Sequence, residues 1–91
     1  MITLTDCIEM CGLTEEELDA IAEHEHLPET AAAALAAALM EQKEEGARAV
    51  AQMIRDDIRH ALKRGDRLHA ADLLAALRHF LAEHPEARLH R

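Results

Sequence analysis

Aromatic side chains are almost missing from this chain of 91 residues, which holds one Phe, no Trp and no Tyr. Aromatics bury the most area per residue, so the core has to be assembled from Leu, Ala, Ile, Val and Met. A chain this short buries only about 60% of its unfolded surface. A core without large rings therefore leaves a single copy marginal, and a homodimer is expected. Serine is absent and threonine occurs four times, with one or more of these needed at helix caps, so no serine-centred triad exists. Three scattered glycines make no phosphate-binding loop. Lacking these and aromatic pocket walls, the chain is not expected to be an enzyme.

Bases are also scarce, with 10 Lys and Arg against 18 Asp and Glu and a net charge of −8 when histidine is neutral. That balance repels phosphate backbones and anionic lipid. Nucleic acid and membrane surfaces are thus set aside, leaving a basic protein partner, a cation or plain solubility. Seven histidines would bring the charge from −8 to −1 if all took a proton, so mild acid nearly neutralises the molecule. No apolar run approaches the roughly 20 residues that span a bilayer. The start, Met1-Ile2-Thr3-Leu4-Thr5-Asp6, lacks the basic opening of a signal peptide. A reducing cytoplasm is the expected location, with Cys7 and Cys11 as thiols rather than a staple.

What is present is helical pattern. Thr5 to Gly12 reads as a short first helix ended by its glycine. Thr14-Glu15-Glu16-Glu17 is a capping box, and the helix it opens runs to about His26, because Pro28 disfavours helical geometry before it. Pro28 suits the first position of the next helix, and Thr30 to Met40, almost all Ala and Leu, has high helix propensity. The apolar phase weakens over Gln42-Lys43-Glu44-Glu45, and a break is expected near Gly46. Ala47 to Arg64 follows, with Val50, Ile54, Ile58 and Ala61 on one side and Gly65-Asp66 as its stop. The last helix, from about Arg67 to His84, carries the cleanest apolar stripe: Ala70, Leu73, Leu74, Leu77, Phe80 and Leu81. Pro85 ends it, and residues from about 86 read as a frayed tail. The class is all-α: one domain, a bundle of about four helices plus a short N-terminal one, completed by homodimerisation or docked on a partner protein, with Leu73, Leu77, Phe80 and Leu81 serving either as the contact residues or as intramolecular core.

The segment Cys11 to Glu29, CGLTEEELDAIAEHEHLPE, resembles one that recurs in small helical proteins of proteobacteria. The resemblance covers about the first third of the chain and implies a helical protein without implying an activity.

Helical periodicity of about 100° per residue aims three ionisable groups at apolar faces. Glu25 falls among Leu18, Ile21 and Ala22; Asp57 lies one heptad after Val50; His84 lies one heptad after Leu77. Burying an unpaired charge is costly, so each needs a partner or an escape to solvent. Glu23 and His26 have Glu-x-x-His spacing, and Asp57 and His60 repeat it with a shorter acid. Carboxylate and imidazole ligands on facing helices build the metal sites of four-helix bundles, and a mixed set suits Fe, Mn or Zn. The candidate ligands are therefore Glu23, Glu25, His26, Asp57, His60 and His84. A second, softer set is Cys7 and Cys11 with Met10, donors that suit Cu(I), although paired buried Cys more often pack as small apolar residues. His60-Ala61-Leu62-Lys63-Arg64-Gly65 faintly resembles the patch of histidine phosphotransfer domains, but Arg64 intervenes before a glycine that reads as a helix stop.

Overall fold

The computed structural model describes residues 13–88. The expected first helix, and with it Cys7, Met10 and Cys11, lies outside them. Four helices follow: α1 Glu15–Glu25, α2 Glu29–Glu41, α3 Glu44–Lys63 and α4 Arg67–Glu83, with a short 3-10 turn at Pro85–Ala87. No strand occurs among the described residues. The chain is all-α.

Local signals set most boundaries. The Thr14 hydroxyl accepts from the Glu17 N–H at 3.2 Å, and the Glu17 carboxylate accepts from the Thr14 N–H at 2.9 Å, which closes the capping box and starts α1. His26 ends it in the left-handed region, at φ 56. Pro28 caps α2 from outside instead of entering it. Asp66 starts α4 by accepting from the His69 N–H at 3.1 Å, and Gly65, at φ 76, makes the α3–α4 turn without a Cβ penalty.

The expected break falls earlier than Gly46. Chain direction changes at Gln42 and Lys43, and Lys43 takes φ 56. Gly46 lies buried in the first turn of α3, where a Cβ would overlap the Leu39 carbonyl at the end of α2. The glycine serves close packing between two helices while a lysine carries the turn. The tail is a second correction: Ala87 is fully buried and the 3-10 turn packs on α3, so the fold continues past residue 86.

Helix α3 packs on every other helix and on the 3-10 turn. Val50, Ala51, Ile54 and Ala61 supply its buried face, closed by Leu18 and Ile21 of α1 and Leu73, Leu77 and Phe80 of α4. Nine of the seventeen residues in this core are alanine, which brings helices close but removes little apolar area from water. Of the two expected roles of the α4 stripe, intramolecular core is the one seen: Leu73, Leu77 and Phe80 are buried and Leu81 packs against them.

Candidate functional site

Leu18 and Ile21 of α1 and Leu77 and Phe80 of α4 are buried in the core, and a gap is left where α1 runs beside α4. The result is an open groove of about 640 Å³. Ala20, Leu73, Ala75 and Ala76 give it an apolar floor, and Glu16, Asp19, Glu23 and Asp72 line it with acids. On α4 its lining residues His69, Asp72, Ala76 and His79 recur at steps of three and four, one helical face in sequence.

Two histidine–carboxylate pairs tie α1 to α4 along this groove. His79 Nδ1 donates to Glu17 at 2.9 Å. That carboxylate is only 1% exposed, yet both its oxygens are bonded. The Glu17 hydrogen bond, then its charge, holds the His79 pKa above the usual imidazole value. Farther along, His69 Nε2 is bonded to Glu23. A third pair joins α1 to α3: His24 gives Nδ1 to Glu25 at 2.6 Å and Nε2 to Asp56 at 3.2 Å. Two carboxylate partners require both ring nitrogens to be donors, hence an imidazolium. Burial by itself lowers the His24 pKa, but the bonds to Glu25 and Asp56 and the charge of Asp57 outweigh it, and the value is raised. The same contact, after a hydrogen bond from Gln52, holds Asp56 below its usual value.

Asp57, on α3, is 2% exposed, and its Oδ2 has no hydrogen-bond partner among the described residues. Burial, followed by the charges of Glu23 and Asp56, pushes its carboxyl up to about 7, against the opposing pull of His24 and His69. Glu23 and His69 therefore serve both places: they line the groove and act on Asp57.

Of the six expected ligands, Glu23 and Asp57 fall in this cluster, and Glu25 touches it through His24. Glu25 itself is exposed instead of lying on the apolar stripe. His26 leaves the helix register by its positive φ and is exposed, so the Glu-x-x-His face of α1 is lost. His60 is exposed while Asp57 is buried, which separates the second pair. His84 packs on the Phe80 ring, centroids 4.6 Å apart, and its Nδ1 lies 3.6 Å from Glu86. The spacing of acids and histidines did not single out His24, Asp56, His69 or His79. For His69 and His79 the signal was the three-and-four spacing of polar residues on α4 and the buried phase of the capping glutamate, Glu17, and for His24 and Asp56 the spacing offered none.

Among the described residues, the one group of three potential ligands whose atoms all lie within 4.8 Å of one another is Glu15, Asp19 and Glu29. Glu15 and Asp19 are exposed, and a hydrogen bond to the Asp19 carboxylate, then the charge of that carboxylate, raises the Glu29 carboxyl above its usual value. No described helix is long and apolar enough to cross a membrane.

No family model, curated protein or solved structure matches the chain.

Proposed function

We propose that this protein is an acidic helical docking module whose α1–α4 groove receives a cationic amphipathic helix from a partner protein. The groove carries the reading. Its Ala and Leu floor suits the apolar face of a helix, and Glu16, Asp19, Glu23 and Asp72 suit Lys and Arg on that helix's flanks, the helix-in-groove mode of recognition. The chain's net charge of −8 adds long-range attraction for such a partner, raising the association rate more than the final affinity. No catalytic step is involved.

The test is calorimetric titration of the full chain with a synthetic Lys/Leu/Ala helical peptide, repeated with a Glu/Leu/Ala peptide of equal length. The Lys peptide should bind, and more weakly as salt is raised. Ala75→Phe, at an exposed groove position, should block it without altering charge, and Glu16→Gln with Asp72→Asn should weaken it. Equal binding of the Glu peptide, or full binding to Ala75→Phe, would sink the reading. A dimer in light scattering that Ala75→Phe dissolves would instead seat a second copy of the chain in the groove.

A further inference from the structure

Helix α4 shows solvent two stripes of different character. One lines the groove with His69, Asp72 and His79. The other is Arg67, Ala71, Leu74 and Arg78, at steps of four, three and four. At 100° per residue it stands on the opposite flank, roughly 140° around the helix from the first. All four residues are exposed, Leu74 by 39%. Arg67 and Arg78 enter no ion pair among the described residues, whereas Arg48 and Arg59 of α3 each meet an acid of their own helix. Arg67 is also the first residue of α4, where a cation opposes the helix dipole, and the first turn holds no acid to offset it. At the head of the stripe, the α3–α4 corner adds Leu62, 56% exposed, and Arg64, exposed and likewise without an ion pair among the described residues. On a chain of net charge −8, arginines and leucines are thus gathered along one helix and its leading corner.

We propose that this stripe is a second docking surface, which receives an acidic amphipathic helix from a partner protein. Charge complementarity identifies the occupant. Arg67 and Arg78 bracket Ala71 and Leu74, so they meet Glu or Asp on a helix whose leucines lie along that apolar centre. A second copy of the chain fits poorly. A two-fold contact through the stripe brings the arginines of both copies together with no acid on the stripe to separate them. Helix α1 of another copy is acidic, but Leu18 and Ile21 stay inside its own core, which leaves no leucine face to offer. Another copy's groove is acidic too, but a stripe seated in it extends head to tail into rings or filaments, which light scattering reads directly. An anionic bilayer repels the rest of the chain.

The surface stands independently of the groove and is tested on the full chain by calorimetric titration with the Glu/Leu/Ala helical peptide. Binding is expected, weaker than that of the Lys peptide in the groove, because the net charge of −8 opposes an acidic partner. Arg67→Gln with Arg78→Gln should weaken it about three- to tenfold, and Leu74→Glu should abolish it, with helicity by circular dichroism retained in both. Ala75→Phe, which fills only the groove, and Lys43→Gln, an exposed base off the stripe, should leave it unchanged. A wild-type chain that takes up no Glu peptide overturns the proposal, as does unchanged affinity in the double arginine variant. Loss of binding in Ala75→Phe overturns it by moving the peptide to the groove. Without peptide, a mass that rises with concentration and falls in the arginine variant overturns it by seating a second copy on the stripe. Cosedimentation with phosphatidylserine vesicles, lost in that variant, overturns it by giving the stripe to lipid.

Discussion

Asp57 is the residue at which burial and charge conflict most openly. Its carboxyl is raised from 3.8 to about 7, so between those values the folded chain holds a proton that the unfolded chain has released. Stability then falls as pH rises through that window and stays lowered above it. Asparagine has nearly the same shape and no charge to bury. In chelator-treated protein, Asp57→Asn should leave stability near pH 4 almost unchanged and raise it at pH 8 by about 2–4 kcal/mol, since a tenfold difference in proton affinity between folded and unfolded chain is worth about 1.4 kcal/mol. Denaturant midpoints at the two pH values decide it. A loss at both would mean that Asp57 makes a contact its charge does not explain. Glu17 should behave in the opposite way: Glu17→Ala removes a cap and strands His79, costing about 1–2 kcal/mol at neutral pH.

At the scale of elements, Gly46 and Lys43 exchange the roles that propensity would give them. Glycine is the usual choice for positive φ, yet Lys43 takes φ 56 and Gly46 is helical and buried. Gly46→Ala should therefore be destabilising by more than about 2 kcal/mol, because its Cβ meets backbone rather than a mobile side chain. Lys43→Gly should stabilise by about 1 kcal/mol by removing the left-handed penalty. Thermal melts of the two variants should move in opposite directions. These residues also show what the sequence made legible. The capping box, Pro28 and the Gly65-Asp66 stop act within one or two turns of chain, so the boundaries of α1, the end of α3 and the start of α4 could be read. The buried position of Asp57 followed from heptad spacing alone. The α2–α3 corner could not be placed, because contact with Leu39 rather than local preference decides what Gly46 does. Nor could the His69–Glu23, His79–Glu17 and His24–Asp56 pairs, which join residues 46, 62 and 32 positions apart.

For the whole molecule, those pairs and Asp57 act in the same direction. The folded pKa values of His24 and His79 are raised, so their contribution is fully present below about 6.5, the unfolded value, and fades as pH rises through the folded one. Asp57 adds a penalty that grows up to about pH 7. At the acid end, Asp56, whose pKa is lowered, loses its contribution as it takes a proton below about 4. Net charge reinforces the trend: protonating seven histidines relieves most of the −8, and with it the self-repulsion of the compact state. Maximum stability should therefore lie near pH 5, with a decline toward pH 8. Removing His24 and His79 together, as His24→Gln with His79→Gln, should flatten the decline without abolishing it, since Asp57 remains. Urea midpoints at half-unit pH intervals, taken with chelator present, measure the curve. A profile that rises from pH 5 to 8 would show that the histidine–carboxylate pairs do not hold the helices together in solution.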